Sequence, residues 1–136
     1  MTPRAGEPPL DYAPPIRGVE ALEVQVFGVR KSADTRAALR FFAERRIKVH
    51  FVDLMERAAS RGELDRFARK FGAAALLDRS SRRFAELGLA GAMYSPERWL
   101  ERMTEEPLLL RMPLVRHQNE FSIGPAEERW RAWAGK

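Results

Sequence analysis

One uninterrupted stretch near the start of this chain constrains its fold more than anything else in it. Leu22, Val24, Val26 and Val29 make a run dominated by β-branched residues, the mark of a buried strand. A short basic loop follows, Arg30-Lys31-Ser32, and then helix-forming sequence over 33–46 with Ala38, Leu39, Phe41 and Phe42 on one side. Residues 47–54, Ile-Lys-Val-His-Phe-Val-Asp-Leu, read as a second strand. A strand, a helix of this length and another strand make a βαβ unit, whose strands run parallel through a right-handed crossover.

The remainder is punctuated by caps and a change of period. Ser60 and Glu63 are spaced as a capping box. Leu64, Phe67, Ala68 and Phe71 follow at helical spacing, and Gly72 stands where a helix would stop. After the small apolar run 73–77, Ser80 or Ser81 caps a short helix through Leu87. Gly88 and Gly91 then mark a loop. Ser95-Pro96-Glu97 is a helix start, with a capping hydroxyl, proline at the first helical position and an acid in the first turn. That helix carries Trp99, Leu100 and Met103 and ends before Pro107. Residues 112–117 and 120–124 read as two strands joined by Gln118-Asn119 as a hairpin turn. Pro125 opens a last helix with Ala126, Trp130 and Trp133 turned inward. The expected fold class is α/β: a four-stranded mixed sheet in the order βαβ … ββα, with helices on both faces and a helical insertion at about 60–108.

Composition narrows the function classes. The chain has 136 residues and 45% apolar content, as expected for one globular domain over 21–136. Residues 1–20 hold five of the nine prolines, which suits an extended arm better than a core element. No apolar run reaches the roughly 20 residues that span a bilayer, and no signal pattern opens the chain, so a cytoplasmic location without membrane contact is expected. The net charge of +5 comes from 24 basic and 19 acidic residues. Signs interleave along the helices, which fits mixed surface ion pairs better than a nucleic-acid face. There is no cysteine. Disulfides, thiolate metal sites and thiol redox chemistry are therefore outside the reach of this chain alone. Two isolated histidines, His50 and His117, give no metal signature, and no cofactor is called for.

Several pieces in order carry a family resemblance: Val26-Phe27-Gly28 before the loop; Ser32, then Ala38-Leu39 on the first helix; Lys70-Phe71-Gly72 with Ala75-Leu76-Leu77; Leu109-Leu110-Arg111-Met112-Pro113-Leu114-Val115; and Ser122-Ile123-Gly124. With these the chain resembles the arsenate reductase-like family of thioredoxin-fold proteins, which includes the Spx-type transcription regulators. The resemblance spans about residues 22–133. It implies that the first loop ends at the family's nucleophilic cysteine, a place where this chain has Ser32. It further implies a cis-proline at Pro113, preceded in the family by an oxyanion-binding arginine. Here Met112 precedes Pro113 and Arg111 lies one residue earlier.

The candidate site residues follow. Ser32 is an anion ligand or a helix N-cap. Arg30, Lys31, Arg36 and Arg111 either converge on an oxyanion through guanidinium and ammonium donors or stand as separate solvated cations. Asp34, in the first turn of the helix, suits the helix dipole and opposes an anion in the same place. A serine hydroxyl needs a positioned base to act as a nucleophile, and no Ser-His-Asp spacing is present. The expected function is therefore binding without catalysis. The partner is a protein, by family analogy RNA polymerase, or an oxyanion. The alternative is an arsenate or disulfide reductase that borrows an external thiol.

Overall fold

The structure is a computed structural model that describes residues 22–135, so the expected arm at 1–20 lies outside the described residues. Four strands form one sheet: β1 (Glu23–Gly28), β2 (Lys48–Asp53), β3 (Leu114–His117) and β4 (Glu120–Ile123). Their order across the sheet is β2-β1-β3-β4. β1 pairs parallel with β2, while β3 is antiparallel to both β1 and β4. Six helices complete the described chain: α1 (Ala33–Glu44), α2 (Arg61–Phe71), α3 (Ala73–Leu76), α4 (Arg82–Glu86), α5 (Pro96–Glu105) and α6 (Glu127–Trp133). The mixed four-stranded α/β arrangement is the thioredoxin-like one expected from the order of elements.

The sheet is a wall between two cores, because alternate side chains of a strand face opposite sides. Val24, Val26 and Val115 point to one face, where Ala38, Phe41 and Phe42 of α1 and Trp130 of α6 cover them. Phe41, Phe42 and Trp130 stack within 5.2–5.5 Å of one another. The indole N–H of Trp130 would be costly to bury alone, and it donates to Ser122 Oγ at 2.8 Å. Phe27, Val29, Leu54, Leu114 and Phe121 point to the other face. There they meet Leu64 and Phe67 of α2, Leu76, Phe84 and the α5 residues Trp99, Leu100 and Met103. The four helices between β2 and β3 thus roof one side of the sheet.

Local signals set most of the helix ends. Ser60 Oγ accepts from Glu63 N, and the Glu63 carboxylate reaches back to Ser60 N at 2.8 Å. Ser81, not Ser80, caps α4. Ser95 caps α5 with Pro96 behind it. Gln118 and Asn119 are the two-residue turn, with Gln118 at positive φ and His117 paired to Glu120. The last helix departs from expectation. It starts at Glu127 rather than Pro125, because Ala126 keeps an extended φ of −147°. As a result Trp130 is buried but Trp133 is only partly so, lying against the His117 ring.

Gly28, the last residue of β1, packs directly against Thr35 of α1. A Cβ there would collide with Oγ1 and Cγ2 of the fully buried Thr35. Gly28→Ala is expected to cost about 1–3 kcal/mol in urea unfolding, with part recovered on adding Thr35→Ala. Equal stability of Gly28→Ala and the parent would show that the junction has slack.

The Arg57 guanidinium, bonded to both Glu63 oxygens, holds that carboxyl below the ordinary glutamate range, with the Ser60 backbone N–H adding to the effect and burial opposing it. A lowered folded pKa means stability present above the unfolded value and lost as pH falls through the folded one. The stability gap between parent and Glu63→Gln should therefore shrink below about pH 4. A gap that stayed constant from pH 7 to pH 3 would contradict this assignment.

Candidate functional site at the first loop and the cis-proline

The β1–α1 loop is closed by its own backbone and side chains. Ser32 N donates to the Val29 carbonyl at 3.0 Å, turning the chain tightly into α1. Ser32 has extended backbone angles, and its Oγ accepts from Thr35 N at 3.1 Å, which is N-cap geometry. Arg36 folds back over the loop, where one of its guanidinium nitrogens donates to the carbonyls of Arg30 (2.7 Å) and Lys31 (3.0 Å). The Arg30 guanidinium lies 4.7 Å above the Phe51 ring centroid. Two of the three loop-region guanidinium and ammonium groups are thus engaged with the protein itself, and Lys31 is exposed.

The facing wall comes from the segment before β3. Arg111 N donates to the Leu76 carbonyl and Asp78 N to the Leu109 carbonyl, both at 2.8 Å, around a bridge between Leu77 and Leu110. These bonds fix the backbone on either side of Arg111 and Asp78. The Met112–Pro113 peptide is cis. Pro113 is buried, and its carbonyl accepts from Gly124 N at 2.8 Å.

Between these walls lies an open cleft of about 550 Å³ whose lining includes Asp34, Asp78, Arg79, Ser80, Arg111 and Met112. Of the residues singled out in the sequence, the cleft brings together Arg111 and Asp34. Arg30, Lys31, Ser32 and Arg36 are outside its lining, so Arg111 does not share this cleft with the other three candidate cations. Asp78, Arg79 and Ser80 were not anticipated. Asp78 Oδ1 accepts from Ser80 N and Oγ, a short turn readable from residue types. Its approach to Arg111 depends on the long-range Leu77–Leu110 bridge, which no local signal reveals. Arg79 leans over Phe84 and Trp99 at 5.8 and 5.6 Å. Two carboxylates and two guanidiniums share this cleft, so it differs from the uniformly cationic nest that a bare oxyanion needs.

Among the described residues neither histidine stands by Ser32. Both histidines are spent at the opposite end of β1. His50 Nε2 meets the Glu23 carboxylate at 2.9 Å, and His117 Nδ1 meets the Glu23 carbonyl at 3.2 Å. Five strand steps of about 3.3 Å separate Glu23 from Gly28. Among the described residues no group of three or more His, Asp or Glu could hold a metal ion. No described helix is long and apolar enough to cross a membrane.

This combination of βαβ unit, loop leading to α1, cis-proline before β3 and closing ββα is that of an arsenate reductase-like thioredoxin-fold protein. The ArsC family model matches residues 27–133, and the chain belongs to the ArsC family. An arsenate reductase from Vibrio cholerae superposes with a TM-score of 0.71 at 22% identity, covering 81% of this chain and 96% of that one. An ArsC family related protein from Bacteroides fragilis gives 0.75 at 15% identity, covering 84% and 99%. At such identities the likeness is one of fold. No curated protein matches the chain in a sequence search.

Ser32→Ala is expected to lower unfolding free energy by about 1 kcal/mol, and Ser32→Gly by only a few tenths. Equal stability of Ser32→Ala and the parent in urea titrations would remove the capping role.

Proposed function

We propose that this chain is a non-catalytic member of the ArsC family that acts by binding, with another protein as its partner. The observation that carries this reading is the state of Ser32. In a chain without cysteine it takes the place that the family resemblance gives to the nucleophile, and its oxygen is committed to the Thr35 amide. Neither histidine is placed to act as its base, and the reaction class of the family needs a thiolate. Arg36 supports the same reading, since its guanidinium holds the loop carbonyls together instead of pointing into the cleft. By the family resemblance alone, the partner is RNA polymerase, as for Spx-type regulators.

The competing reading is an arsenate or disulfide reductase that takes its thiol from glutathione or a partner protein. Arg111 favours it: exposed beside the cis-proline, it makes no side-chain hydrogen bond or ion pair among the described residues. Asp34 and Asp78 in the same cleft oppose an arsenate there. A coupled assay with arsenate, glutathione and glutaredoxin separates the two. The binding reading predicts no turnover above the protein-free rate. Turnover that disappears in Arg111→Ala, with folding unchanged by circular dichroism, would replace it with the reductase reading.

A further inference from the structure

We propose that the free edge of β4 is a docking strand for an extended, acidic peptide segment of a partner protein. Strand β4 is at the end of the sheet, paired only with β3 among the described residues. The bond from Gly124 N to the Pro113 carbonyl sets the phase of that ladder. Backbone groups alternate direction along an antiparallel strand, so those of Ser122 and Glu120 face β3 and those of Phe121 and Ile123 face outward. Of the outward groups, the Phe121 carbonyl accepts from Arg129 at 2.8 Å. The Phe121 N–H and both groups of Ile123 have no hydrogen-bond partner among the described residues.

This edge does not lie on open surface. It runs along the floor of a groove between the end of α2 and α6. One part, of about 530 Å³, is lined by Lys70, Phe71, Phe121, Arg129 and Trp133 among others. An adjoining part of about 260 Å³ continues past Ile123 and shares Phe71 and Arg129. The half-buried Phe71 and Trp133 are apolar walls. An added strand would lie about 4.8 Å from β4, with alternate side chains turned toward these walls.

The charge of the groove selects the occupant. Lys70 Nζ lies 6.0 Å from the Phe121 ring centroid and Arg129 caps the carbonyl of the same residue, while Arg116, outside the groove lining, holds its guanidinium 5.8 Å from that ring and donates to the Gln118 carbonyl. None of these three cations is in an ion pair among the described residues. By contrast, Arg57, Arg61, Arg83 and Arg98 are each held by a glutamate or aspartate. Glu120 is the one carboxylate among the groove-lining residues. An incoming Asp or Glu offers Arg129 a charge-assisted partner, which draws it off the Phe121 carbonyl and opens that position for strand pairing. Without a partner, Arg129 blunts the edge against pairing with other chains. Arg111 lines only the smaller part of the groove and Asp34 neither part, while the β4 edge, Lys70 and Arg129 are outside the loop cleft, so reductase turnover, which would end the preceding proposal, leaves this one standing.

The test uses the full-length, isotope-labelled protein and two short fluorescent peptides, one alternating Glu with Val and one alternating Lys with Val. Saturable binding of the Glu peptide by anisotropy is expected, weakening as salt rises. Slowed hydrogen exchange at the Phe121 and Ile123 amides should accompany it. Lys70→Glu and Arg129→Glu should each weaken it about tenfold, while Arg66→Glu, outside the groove, should leave it unchanged. Equal binding of the Lys peptide, no saturation at millimolar concentration, or unchanged exchange at those two amides would overturn the proposal. Protection of the two amides before any peptide is added would also overturn it, in favour of a second copy if concentration-dependent and of the chain's own N-terminal segment if not. Tighter binding of a single-stranded oligonucleotide would assign the groove to nucleic acid.

Discussion

The junction between β1 and α1 governs what this molecule can do. Ser32 Oγ caps the helix through Thr35 N, while Thr35 lies buried against Gly28 at the end of the strand. These two contacts share one residue, so the helix cap and the packing of α1 on β1 meet at Thr35. Thr35 Oγ1 is itself buried with no partner among the described residues. A polar atom left in that state costs stability.

Electrostatics around the junction act in the same direction. Helix N-termini attract anions, yet here Asp34 occupies the first turn and faces the cleft that Arg111 lines. Arg36, which could have lent a guanidinium to a ligand, closes the loop instead. Ser32 and Arg36 thus both make bonds that hold the loop and the start of α1. The cationic groups without acidic partners around Phe121 lie elsewhere, along the edge of β4. The proposed docking strand therefore lies at that edge of the sheet, away from the loop.

How much of this was legible in the sequence depended on range. The capping box at Ser60 and Glu63, the Ser95-Pro96 start and the Gln118-Asn119 turn are set by residues within four positions of one another, and the βαβ unit by the period of each successive segment; all took the form their residue types dictate. Pro125 misled, because a proline suits the first turn of a helix but does not oblige the next residue to be helical. At the site, the capping role of Ser32 was readable as a local i to i+3 interaction. The dispersal of Arg30, Lys31, Arg36 and Arg111 was not. Arg36 is held by carbonyls behind it, Arg30 by an aromatic ring on β2, and Arg111 by the pairing of its segment with residues near Leu76. The same long-range pairing hid Asp78 and Arg79 from view.

The most direct measurement is a crystal structure grown in the presence of sulfate or arsenate. The account predicts that Ser32 Oγ remains about 3 Å from Thr35 N, with no oxyanion on the backbone amides of the first helical turn. An oxyanion seated on those amides, with Ser32 turned to meet it and Arg36 released from the loop carbonyls, would contradict it.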